Sequence, residues 1–180
     1  MIIVLFVVSF VLSFVLSGLE QVKHYEGAEA KLQYTAAKGG NTLMPELSEI
    51  GQPTDIEYHN VFISMFIFSA ETDYLICRYT ADEYQICKEE LETEYTFQTE
   101  TIRDSRSQCE PSAEVNGYQF RLLSIEEYKG PIYFPKHLIL IGYSDDTREI
   151  VYVAFEDVDL DYITSLKEFI TDDCGWKYIR

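Results

Sequence analysis

The chain has 180 residues, 47% hydrophobic and 25% charged, with only 9 Gly and 5 Pro, a composition that excludes disorder for the bulk of it. Its 31 acidic residues against 14 basic ones give a net charge of −17, which repels phosphate backbones and anionic headgroups and so excludes nucleic acid as a partner. The length suits a leader and one domain, and the roughly 160 residues of the body can close a core without metal, disulfide or cofactor.

Residues 1–19, MIIVLFVVSFVLSFVLSGL, contain no charged side chain. As a helix the run would be about 28 Å long, close to the ~30 Å of a hydrocarbon core. A helix in a soluble core would show a charged or strongly polar face, and this run offers only the small hydroxyls of Ser9, Ser13 and Ser17. It reads as a signal or membrane-anchor segment, an N-terminal hydrophobic helix. No basic residue precedes it, and Val15 and Ser17 are the residues that could serve a cut after Ser17.

Leu16-Ser17-Gly18 resembles the lipobox of bacterial lipoproteins, in which an aliphatic residue and two small ones precede the lipid-bearing cysteine. Leu19 stands where that cysteine would be, and it has no thiol to carry the lipid. With the polar tether and acidic domain that follow, the chain resembles small exported bacterial lipoprotein-like proteins of unknown function. That resemblance implies the outer face of the cell membrane, or secretion if the leader is cleaved, and no reaction.

Residues 20–54 read as a polar tether with a short local helix. Good helix formers lie between Gly27 and Gly39, while Pro45, Gly51 and Pro53 punctuate the approach to the domain. Residues 55–180 read as one acidic α+β domain. IEYHNVFISMFIFS and YLICRY are rich in β-branched and aromatic residues, which predicts a hairpin with strands over 56–68 and 74–79, SAETD as its turn, and a bend or bulge at His59-Asn60.

TADEYQICKEELETEY, residues 80–95, predicts a helix. Thr80 and Glu83 form a capping box, and Tyr84, Cys87, Leu91 and Tyr95 fall on one face, with Glu89, Glu90, Glu92 and Glu94 turned to water. Residues 101–117 read as a polar loop that ends in the turn pair Asn116-Gly117, and YQFRLLSI alternates as a half-buried strand. A second hairpin is predicted over 137–143 and 149–155. Both of its strands are apolar on either face, as inner strands are. DLDYITSLKEFITDDCGW predicts a last helix capped by Asp159 or Asp161, with Tyr162, Ile163, Leu166, Phe169 and Ile170 buried and Gly175 at its end. The expected domain is a mainly antiparallel sheet of about five strands with two packed helices, in the order β-β-α-β-β-β-α.

Chemistry is harder to find. Asp157, Asp159, Asp161 and Glu168 match four ligand positions of a calcium loop, but Tyr162 occupies the glycine position and the segment already carries a helical stripe. GYSDD lacks the second glycine of a nucleophile elbow and reads as a hairpin turn. His24, His59 and His137 have no partner at metal-site spacing, and no P-loop or dinucleotide fingerprint exists. Of the four cysteines, Cys77 and Cys87 read as buried free thiols, whereas Cys109 and Cys174 lie in loop-like context where a bridge can close. The 14 tyrosines fit cross-strand packing, or a sugar- or peptide-binding platform if several are exposed together.

No catalytic, cofactor-binding or metal residue is assigned from the sequence. The expected function is a non-enzymatic, membrane-associated binding or accessory module outside the cytoplasm, with a protein or peptide partner left open. The alternatives are a structural or stress-associated envelope protein without ligand, and a hydrolase without a recognisable motif.

Overall fold

The computed structural model describes residues 21–38, 44–65, 68–103, 107–124, 137–157 and 177–178. The fold is α+β. Strand β1 (Gln21–Glu26) leads into helix α1 (Gly27–Lys38). Then come β2 (Asp55–Met65), β3 (Phe68–Arg78) and helix α2 (Ala81–Glu94). The short strands β4 (Ile102–Arg103), β5 (Ser107–Cys109) and β6 (Ser112–Val115) precede β7 (Tyr118–Leu122), β8 (His137–Ser144), β9 (Glu149–Asp157) and β10 (Lys177–Tyr178). Seven strands form one antiparallel sheet in the order β1-β2-β3-β9-β8-β7-β6, and β10-β5-β4 form a small second sheet.

The main sheet has seven strands rather than about five because its two edges come from segments that read as tether and loop. β1 is QVKHYE, exposed along most of its length. β6 is SAEV, joined to β7 by Asn116 and Gly117, both at positive φ, as a two-residue hairpin turn of the primed type requires. An edge strand pairs on one side and faces water, so it carries little of the apolar signal that marks an inner strand. The expected helix at 159–176 and the leader at 1–19 lie outside the described residues. The second described helix is α1, which falls where a short local helix is expected within the tether.

The first hairpin also differs from expectation. β2 and β3 pair without interruption from Asp55 opposite Arg78 to Met65 opposite Phe68. The reversal therefore falls between Met65 and Phe68, SAETD lies inside β3, and no bulge interrupts His59-Asn60. The polar residues of that run are paired off inside the fold. Tyr58 Oη donates to Asp73 Oδ1 at 2.5 Å, and Asn60 Nδ2 donates to the same oxygen at 3.0 Å. A buried carboxylate with such donors is tolerated in a strand.

β9 occupies the middle of the sheet, between β3 and β8. Every side chain from Leu138 to Ser144 and from Glu149 to Phe155 is buried, as the unbroken apolar runs predict. On one face, α1, α2 and the 44–50 segment cover a core that includes Ile56, Tyr58, Leu75, Ile141 and Tyr152. The other face carries a second cluster, with Val61, Tyr74, Phe120, Leu138, Val153 and Phe155 among its members. α1 is seated by Ala30 and by Tyr34, which meets Tyr58 edge-on at 5.4 Å and donates its hydroxyl to Pro45 O.

α2 buries Tyr84, Cys87 and Leu91, three members of its predicted stripe. Half of its capping box is present, with Glu83 N–H donating to Thr80 Oγ1 at 3.4 Å. The Glu83 carboxylate accepts instead from the Gln52 N–H at 2.9 Å, which fastens the segment ahead of β2 to the helix.

Candidate functional site

The pairing of β1 with β2 sets His24 directly opposite His59, and Glu26 opposite Glu57. Directly opposed residues of an antiparallel pair share a face, as do residues two apart on one strand. Both histidines and both glutamates therefore project from the same face at the edge of the sheet. The imidazoles of His24 and His59 stack with centroids 4.0 Å apart and planes 15° apart. His59 also meets Tyr74, its neighbour on β3, edge-on at 6.2 Å.

The Glu57 carboxylate is shared between two sides. Its Oε2 lies 3.6 Å from His24 Nε2 and 3.7 Å from His59 Nε2. Its Oε1 lies 4.0 Å from Arg78 Nη2. Glu26 stands on the outer side, 3.6 Å from His24 Nε2. One donor atom from each of His24, Glu57 and His59 lies within 4.8 Å of the other two, and among the described residues no other group of three histidine, cysteine or carboxylate side chains does so. The three side chains are 44%, 28% and 18% exposed, so the group is open to solvent on the β1 side and sheltered on the β3 side.

Arg78 continues the polar row across the sheet. It donates from Nε at 2.8 Å and from Nη2 at 2.5 Å to Glu149 Oε1, and lies 3.6 Å from Asp55. Tyr118 Oη and Thr147 Oγ1 donate to Glu149 Oε2 at 2.5 and 2.7 Å. Burial alone would push the Glu149 carboxyl up. The hydrogen bonds from Tyr118, Thr147 and Arg78 and the Arg78 charge outweigh it and hold the group below its ordinary value. The carboxylate stays ionised, and it in turn fixes the guanidinium that faces Glu57.

Two neutral imidazoles and one carboxylate oxygen are a donor set suited to a divalent transition cation. Protonated, either imidazole would pair with Glu57. Among the described residues no cysteine joins the group. Cys77 and Cys87 are buried free thiols on the opposite, helix-covered face. Burial pushes Cys77 up to about 12, and burial with the Glu83 and Glu90 charges pushes Cys87 up to about 11, so neither is a ready thiolate.

The other residues weighed in the sequence scatter. Ser144 and Asp145 of GYSDD lie at the β8–β9 turn, where Asp145 accepts from Tyr84 Oη and Lys88 Nζ, each at 2.6 Å. His137 opens β8, three strands away from β2. Cys109 ends β5, Asp157 ends β9, and Cys174 with Asp159, Asp161 and Glu168 lies outside the described residues. Every tyrosine with a described side chain is buried or half-buried, so none of these ten joins an exposed aromatic platform. Spacing along the chain could not unite His24 with His59, which stand 35 positions apart. Only the register of an edge strand does so, and QVKHYE carried no strand signal from which the pair could be found.

No protein-family model, no curated protein and no solved structure matches the chain. Among the described residues no helix is long and apolar enough to cross a membrane.

Proposed function

We propose that the chain is a non-enzymatic binding or accessory module at the outer face of a cell membrane, held there by residues 1–19 permanently or during export. The observation that carries the binding role is the placement of the His24–Glu57–His59 group. Its convergent donor atoms are part-exposed at an edge of the sheet. The buried ionisable group on the same face, Glu149, is tied into structural hydrogen bonds. The uncharged run 1–19 supports the membrane role.

Two measurements test the proposal. In cells expressing the full chain, the uncut protein should be found in the membrane fraction, with its domain digested by protease added to spheroplasts, and the cut protein outside the cytoplasm. The intact mass should correspond to all 180 residues or to a cut near Ser17, without an added diacylglycerol. A thermal-shift screen against metal cations, sugars and peptides should find a ligand that raises the melting temperature. A chain that stays in the cytoplasmic fraction defeats the membrane role, and a screen in which nothing shifts the melting temperature defeats the binding role in favour of a structural envelope protein.

A further inference from the structure

We propose that His24, Glu57 and His59 bind one divalent transition-metal cation with the ligand preference of zinc, and that the cation staples β1 to β2. The inference rests on the binding-module reading and names its ligand. Two nitrogen donors and one carboxylate disfavour calcium and magnesium, which take oxygen ligands, and suit zinc or its neighbours. A tetrahedral zinc with bonds near 2.0–2.1 Å requires donor atoms roughly 3.3–3.4 Å apart. The Glu57 Oε2 to imidazole Nε2 distances of 3.6 and 3.7 Å are a few tenths of an ångström longer.

The stacking of the two rings says how the site closes. Near-parallel imidazoles point their lone pairs side by side, so one ring must turn to converge on a shared ion. His59, wedged between His24 and Tyr74, is the less free. His24 stands on the outermost strand with 44% of its side chain exposed, and it has the room to turn. Arg78 faces Glu57 Oε1, which leaves Oε2 to the metal as a single donor and orients the carboxylate from behind. Glu26, beside His24, or a water completes the four positions. The net charge of −17 raises the local concentration of cations. Among the described residues β1 is paired on one side only, so a bond from His24 through the ion to β2 adds a cross-link where backbone pairing is weakest.

The experiment uses the full chain in detergent, stripped with chelator and titrated with ZnCl2. Stoichiometry is read by elemental analysis, affinity by calorimetry, and amide exchange by mass spectrometry. One zinc per chain is expected, with a higher melting temperature and slower exchange over residues 21–26. His24→Ala and Glu57→Gln should each weaken binding by at least about tenfold, the scale of losses from outer-shell partners alone, and His24→Ala should abolish the zinc-dependent slowing in β1. His137→Ala, on β8, should bind zinc as the wild type does. The half-exposed His24 can be removed without loss of the fold, which an unchanged far-ultraviolet circular dichroism spectrum without metal verifies. Equal zinc affinity in the wild type and His24→Ala, or no uptake by the wild type, overturns the site. If uptake is absent but a sugar or peptide still raises the melting temperature, the metal inference falls alone. If no ligand does so, the binding-module reading falls with it.

Discussion

Glu149 shows how a single residue can be charged, buried and useful to the fold. Its carboxylate collects Arg78, Tyr118 and Thr147 from three parts of the chain. Tyr118→Phe removes one donor to an ionised acceptor and should cost about 1.5–3 kcal/mol in denaturant unfolding at neutral pH. Because the folded carboxyl lies below its ordinary value of 4.5, its contribution is full above that pH and is lost as acid protonates the folded form. The gap between Tyr118→Phe and the wild type should therefore narrow below about pH 4.5. Gly142 is constrained by space. It pairs with Phe120 across β7 and β8, and a Cβ there would lie 2.5 Å from the Phe120 ring. Gly142→Ala should destabilise the protein by about 1–3 kcal/mol, the usual cost of overpacking, with the loss visible as a lower denaturant midpoint.

At the scale of elements, legibility followed burial. α2 declared itself through Tyr84, Cys87 and Leu91 at helical spacing and through Thr80 at its cap, and the structure agrees on each. β8 and β9 declared themselves as apolar runs because both of their faces are covered. Ser69–Asp73 misled because polarity is normally spent in turns, whereas here Asp73 is satisfied by Tyr58 and Asn60 across the strand pair. β1 was illegible because Val22 and Tyr25, three positions apart among Gln, Lys, His and Glu, make no apolar alternation to read. The same fact hid the histidine pair, since His24 acquires meaning only from the register with His59. α1 offers a test of how that edge is held. Tyr34 is its main anchor, and Tyr34→Ala should cost about 3–5 kcal/mol by analogy with other aromatic truncations. Amide exchange should show residues 21–38 losing protection first while β8 and β9 stay closed.

For the whole molecule, the ionisable groups set a stability window against pH. Burial raises Cys77 to about 12 and Cys87 to about 11 from an ordinary 9.0, and burial also raises Tyr58, Tyr79 and Tyr152 above their ordinary 10.0. In each case the folded state keeps a proton that the unfolded chain gives up. The associated stability is present below the ordinary value and is lost as pH rises toward the folded one. Glu149 and Asp145, both held low, set the opposite limit on the acid side. The melting temperature should be flat between roughly pH 5 and 9 and fall on either side, and a profile that keeps rising above pH 9 would contradict the burial of these thiols and phenols.

The central position of β9 also has a consequence in time. A chain emerging from the ribosome presents the β2–β3 hairpin long before residue 149, so β3 waits with one edge bare while roughly seventy further residues are made. The sheet cannot close until the last long strand slides between two hairpins. Until β9 is made, such a chain has its two strand groups but not its closed sheet. Cut short at residue 148, it should remain in that state and aggregate through the exposed edge of β3.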